Sequence, residues 1–310
     1  MRFEFSKEWL RLGLMASLLI AGIGTKGQER DAPSPAEREA LRQRALSVLQ
    51  AALHGDPIQG MHAAEALVWN GYSQEVRPLY EAAQSSADPK TRVAAWRVLA
   101  QITESSRAER EKYVLKVRDF ALDTHGLHAE FALESLAKLG YAGRDKPFVE
   151  QARSGEPVMR ILARWVLANS GRPQDETYLA ELLDLPDARM RAVTAYALRF
   201  LKKLQPTTLA HLRKRLEQEP EDAPDRFFYI ITLYLHGPAA ERQARKAELF
   251  RYAEKGNEEG KYQALLMLGR WADASDLPRI APYLEAGEAD TRIGAANSLL
   301  TILRSAPRNR

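Results

Sequence analysis

Two histidines a helical turn apart, His125 and His128, with Asp123 and Glu130 beside them, are the residues of this 310-residue chain that come nearest to a metal site. Imidazole and carboxylate are ligands that zinc takes, and the spacing places several of them around one helix start. A metal site needs a ligand number and geometry that two loop-side imidazoles do not guarantee, so the expected role is structural. Gly256 to Tyr262 has the outline of a phosphate loop but is one residue short, and Tyr262 stands where a Ser or Thr would meet magnesium. It reads as a turn with a Gly stop. Glu219 and Glu221 lie among solvated charges, and no HExxH, GxSxG or GxGxxG pattern occurs. The chain has no cysteine, which removes thiolate nucleophiles, a disulfide framework and a lipid-attachment site. The sequence predicts a non-catalytic chain with no cofactor and no metal.

The elements that would carry such residues repeat. Arg92-x-x-Ala95-x-x-x-Leu99 recurs as Arg160, Ala163, Leu167; as Lys261, Ala264, Leu268; and as Arg292, Ala295, Leu299. Arg191 with Leu198 and Arg226 with Leu233 keep the base and the Leu, while Ala63 with Leu67 and Ala132 with Leu136 keep the apolar pair. The Leu positions 67, 99, 136, 167, 198, 233, 268 and 299 step by 31 to 37 residues, the period of two-helix repeats. A small residue where helices cross permits close approach, and Leu one turn later fills the shared core. First helices are expected near residues 35–54, 73–85, 105–124, 144–153, 174–184, 206–218, 238–255 and 275–285. Second helices are expected near 57–70, 89–102, 127–140, 157–169, 187–203, 223–236, 258–271 and 289–304. Gly71-Tyr72 with Pro78 and Gly140-Tyr141 with Pro147 predict matching joints, Gly ending one helix and Pro entering the first turn of the next.

The stretches DPKTRVAAWRVL and DARMRAVTAYAL resemble the Asp-x-x-x-Arg-x-x-Ala core of the HEAT repeat family, and more narrowly the HEAT-like repeats of phycobilisome lyases, over roughly residues 35 to 304. The resemblance implies an all-α solenoid of about eight two-helix repeats. It also implies that Arg92, Arg160, Arg191, Arg226 and Arg292 bond into the adjacent turn and are structural rather than ligand residues.

Function is then expected on the surface. Trp69, Trp165, Tyr196, Phe200, Tyr234 and Trp271 lie on or at the ends of the second helices, which line the concave face of HEAT-like arrays, and aromatic rings give contact area at low entropic cost. Core packing is the alternative for each of them. The chain carries 45 Lys and Arg against 41 Asp and Glu, a net charge of +4 that is too small to argue for nucleic acid. Residues 199 to 255 are mildly basic, which keeps a nucleic-acid-binding array, like the related DNA-alkylation-repeat glycosylases, as a rival reading; a lyase-type enzyme is the other.

The N-terminus argues against the first rival. Arg2, Lys7 and Arg11 precede the uncharged run Leu12 to Gly24, which resembles a secretory signal peptide. A thirteen-residue run spans roughly 20 Å as a helix, short of a hydrocarbon core of roughly 30 Å. The expected organisation is a signal peptide over 1–24, a linker over 25–34, the solenoid over 35–304 and a basic tail over 305–310. The expected location is periplasmic or secreted, with membrane tethering by an uncleaved leader as the alternative. The expected role is a scaffold for a protein partner or an extended ligand such as a glycan. Ile293, Leu299, Leu300, Ile302 and Leu303 leave an apolar final helix. It predicts pairing with a second copy or a partner, unless the preceding helix and the tail cover it.

Overall fold

Each repeat is set by one joint. At Asp88 the carboxylate accepts from the amides of Lys90 and Thr91, and Pro89 occupies the first turn. Four residues after the cap, Arg92 reaches back and donates to the carbonyls of Ser86 and Ala87 at 2.9 and 3.0 Å. Arg191 does the same to Leu185 and Pro186, and Arg292 to Ala286 and Gly287. Arg226 donates to Leu216 and Glu219. For Arg160 the equivalent carbonyls, at Ser154 and Gly155, lie outside the described residues. In Arg92, Arg191 and Arg292 the guanidinium thus satisfies carbonyls of the loop that leads into its own helix and ties that loop to the helix start.

The computed structural model describes residues 33–123, 127–153, 156–223 and 226–305. The expected signal peptide, all of the expected linker but Pro33 and Ser34, all of the tail but Ser305, and His125 of the histidine pair fall outside them. Among the described residues there are sixteen α-helices and no strand. They are α1 (Pro35–Leu53), α2 (Pro57–Trp69), α3 (Ser73–Ala83), α4 (Pro89–Ile102), α5 (Arg107–Asp123), α6 (Leu127–Lys138), α7 (Lys146–Gln151) and α8 (Pro157–Ala168). There follow α9 (Pro173–Ala180), α10 (Ala188–Leu198), α11 (Pro206–Gln218), α12 (Phe227–His236), α13 (Ala239–Lys255), α14 (Glu258–Leu268), α15 (Leu277–Ile280) and α16 (Ala289–Ser305). They form eight antiparallel pairs, an all-α solenoid in which the even helices carry the repeated Leu. No helix among the described residues is long and apolar enough to cross a membrane.

The small and Leu positions are core: Ala95 and Leu99, Ala264 and Leu268, and Ala295 and Leu299 are all fully buried. Gly71 and Gly140 sit at φ of 92° and 71° and close paired C-terminal bonds, Gly71 amide to Val68 and Tyr72 amide to Leu67 in the first case. Boundaries differ from expectation where proline or tightened turns intervene. Pro278 and Pro282 break the odd helix of the last repeat into α15 flanked by 3-10 turns. Pro78 lies inside α3 rather than in its first turn. Beyond Leu198, Phe200 and Leu201 donate three residues back instead of four, which ends α10 early.

The array closes on itself. Every even helix packs on the next even helix, and α16 packs on both α1 and α2. The seam is bonded like the joints elsewhere: the Asn70 amide donates to Asn297 Oδ1 at 3.0 Å, Asn297 donates to Leu266 O at 3.1 Å, and Thr301 donates to Asn70 Oδ1 at 3.2 Å. Arg44 meets Glu285 at 2.9 Å across the same seam. The apolar residues of α16 are therefore buried by the first repeat of the same chain, and neither a second copy nor the tail is needed to cover them.

Asn297→Ala removes bonds on both sides of the seam and should destabilise the fold by about 1–3 kcal/mol. Urea unfolding checks this; a shift no larger than that of Asn169→Ala at an internal joint would mean that closure adds nothing beyond one more repeat contact.

Candidate functional site: the ring axis and its rim

Closing eight pairs brings one side of every even helix toward a common axis. The side chains that meet there sit mainly two residues before or two after the repeated Leu: Glu65, Arg97, Glu134, Trp165 and Tyr196 before it, and Gln101, Lys138 and Phe200 after it. Their bonds skip over neighbouring helices, which only an interior position allows. The Tyr196 hydroxyl on α10 donates to Glu134 on α6 at 2.9 Å, and Arg199 donates across α12 to Gln263 on α14 at 2.8 Å. His62 on α2 stacks on Tyr262 of α14 at 5.1 Å between centroids and meets Asp290 of α16 at 3.1 Å.

Charges on this axis are consumed by one another. Arg97 is only 1% exposed; it pairs with Glu65 at 2.9 Å and donates to Ser135 at 3.2 Å. Lys138 pairs with Glu134 at 3.0 Å and lies over the rings of Tyr196 and Phe200. Arg199 stacks on the same two rings at 4.2 and 4.6 Å. Burial acts to raise the Glu65 carboxyl, but Arg97, Lys138 and His62 outweigh it and hold the group below its usual range. Glu134 is likewise held low against its burial by Lys138 and Arg97. Burial lowers Lys138 and Arg199 and raises Glu259. Burial also pushes Tyr196 and Tyr262 well above the ordinary phenol range. What this arrangement does chemically is lock facing helices by mutual neutralisation, and the register of the ring follows from it.

The six aromatics expected on a concave face divide. Trp165 and Tyr234 are fully buried, the latter donating to Leu268 O at 2.8 Å, and Tyr196 and the half-buried Phe200 pack with Trp165 and Phe228. Trp165, Tyr196 and Tyr234 belong to the interior, and Phe200 packs against it, half-buried. Trp69 and Trp271 are 40% and 51% exposed. They stand at the C-terminal ends of α2 and α14, on one rim of the ring.

Hydrogen bonds define that rim. His236 bonds Arg199 O at 3.0 Å, the Asn169 amide donates to Ala137 O at 2.8 Å, and Arg304 donates to Trp69 O, so the ends of the even helices lie side by side. The starts of the odd helices join them: Arg42 in α1 donates to Leu303 O at 3.4 Å, and Arg110 in α5 to Leu139 O. Arg242 stacks 4.0 Å above the Trp271 ring. Lys202, Lys203 and Arg270 are exposed here.

No protein-family model matches this chain, and no curated protein matches it. Among solved structures, the Escherichia coli protein YibA is 18% identical, with 88% of this chain and 99% of that chain covered, at a TM-score of 0.36. An engineered protein is 14% identical, with 86% and 84% covered, at 0.31. Scores this low leave the architecture to rest on the helix pairs themselves.

Arg97→Met strands the Glu65 carboxylate in the interior and should cost about 3–5 kcal/mol by chemical unfolding. Replacing both, as Glu65→Leu with Arg97→Met, should recover most of that loss; equal losses would show that the pair is not the relevant contact.

Glu130, in the first turn of α6, is raised from 4.5 to about 7 by burial and by Glu156. A carboxyl raised in the folded state weakens the fold as pH climbs through 4.5 toward 7, with the full penalty above that and none below. Glu130→Gln should therefore stabilise the chain by about 2–3 kcal/mol at pH 8 and leave it unchanged at pH 4. Melting curves at the two pH values test the sign.

Proposed function

We propose that the chain is an exported, non-catalytic scaffold of HEAT type that works by surface contact, its rim seated against another surface and its outer wall presented to a protein partner. The observation that carries this reading is the exposure of Trp69 and Trp271 on one rim while the polar groups of the axis bond each other. Large exposed rings cost little entropy to order on contact, which suits them to an interface. On the wall, Leu79 and Tyr178 are exposed on α3 and α9. A glycan is the second ligand class for the rim, since sugar faces stack on indole rings. Export is supported by the leader-like run of residues 2–24, and cleavage should leave an N-terminus near Thr25 that sequencing of the protein from the host's envelope fraction would show.

The absence of cysteine makes the rim testable in place. Trp271→Cys should react with a maleimide several-fold more slowly in the host's envelope than in the purified chain, whereas His54→Cys, on the opposite face, should react equally in both. Equal rates at position 271 would remove the rim as a contact surface.

A further inference from the structure

Three features of the rim share one direction. The first is where the chain enters the fold: α1 begins at the rim, because Arg42 in its second turn bonds Leu303 near the end of α16. The sequence that precedes Pro35 therefore joins the ring on the side where Trp69 and Trp271 are exposed. The chain also leaves the fold there, since α16 ends at Ser305 and the sequence beyond it adds Arg308 and Arg310.

The second feature is charge. Several acidic residues of this face are paired within the ring: Asp175 with Arg144 at 2.6 Å, Asp276 with Lys246 at 2.8 Å, Glu241 with Arg213 at 2.6 Å and Asp145 with Arg118 at 3.3 Å. Glu37 and Asp273 are engaged in helix caps. Lys202, Lys203 and Arg270 are exposed, and no ion pair of theirs is found among the described residues; Glu75 and Glu104 are exposed acids that offset them in part. The third feature is spread. In ring order, Lys202 and Lys203 follow α10, Arg270 and Trp271 follow α14, and Trp69 ends α2, so these groups occupy half the circumference of one end face. A peptide in a groove would be met by a compact cluster; groups spread this way fit a planar partner.

We propose that the rim rests on an anionic lipid surface, with Trp69 and Trp271 at the headgroup level and Lys202, Lys203 and Arg270 over acidic headgroups. Indole rings settle at the membrane–water interface, and each juxtamembrane base adds attraction to an acidic leaflet. The proposal rests on the reading of the rim as a contact surface and names what that surface meets.

The test is co-sedimentation of the protein purified from its host with vesicles of phosphatidylcholine alone or mixed with phosphatidylglycerol. Binding is expected to the mixed vesicles and to weaken as salt is raised. Trp69→Ala with Trp271→Ala, and Lys202→Glu with Lys203→Glu and Arg270→Glu, should each lower it roughly tenfold with melting temperature unchanged. Equal binding to both kinds of vesicle, or variants that bind like the parent, would overturn the proposal. Should position 271 be shielded in the envelope while the vesicles stay unbound, the contact rim stands and its occupant is not a lipid surface, which overturns the lipid assignment.

Discussion

A helix pair cannot bury both of its flanks within itself, and everything else in this molecule follows from how the last flank is buried. An open array must end in a polar cap on each side. Here α16 is buried along most of its length and carries no polar outer face, and α1 and α2 take the place of the cap. The two ends fit because the closing joint uses the chemistry of the internal ones, with Asn70 at the end of α2 bonding Asn297 within α16 as Asn169 at the end of α8 bonds back to the end of α6. Gly269 and Gly294 allow α14 and α16 to approach closely at the joint just before the seam: a Cβ on either would stand under 3 Å from backbone atoms of the facing helix.

Closure converts a concave surface into an interior, and an interior changes the meaning of a charge. On an open array Glu65, Arg97 and Lys138 would be solvated; on the axis Glu65 and Arg97 have lost water and Lys138 most of it, and each must be matched. The matching is specific, since Arg97 answers Glu65 on one neighbouring helix while Glu134 and Lys138 answer Tyr196 two helices away. Such pairs add little net stability over well-packed apolar residues, but they penalise any ring that closes with a helix displaced by a turn. The axial network is therefore best understood as a device of register, with apolar residues such as Trp165 completing the same layer.

The repeat was legible because its signal is local: Arg92, Ala95 and Leu99 lie on one helix and recur at a fixed period. Arg92 and Arg191 show the same economy, each bonding carbonyls five and six residues back. The axis was not legible, although its residues hold a constant offset from the repeated Leu. Position minus two reads Glu65, Arg97, Glu134, Trp165, Tyr196 and later Ile231, a mixture with no common chemistry, because partners across a ring complement one another instead of resembling one another. Tyr196 finds Glu134 from 62 residues away and His62 finds Asp290 from 228. Closure itself leaves no local mark, which is why the aromatics of the second helices looked like the lining of a groove and why α16 looked like an unpartnered end.

What remains outside the ring's internal bookkeeping is concentrated on one edge, and geometry explains why. Each pair is antiparallel, so a single face collects the C-terminal ends of the even helices and the starts of the odd ones. Helix C-termini favour bases by their dipole, which accounts for some positive charge at Lys202, Lys203 and Arg270. It accounts for neither Trp69 nor Trp271, which a helix end does not require and which water disfavours. Both stand next to the entry and exit of the chain, on helices that flank α16. Arg242 stacked on Trp271 is the one internal contact among the described residues that uses either ring, and it leaves both largely open at the edge where the polypeptide enters and leaves the fold.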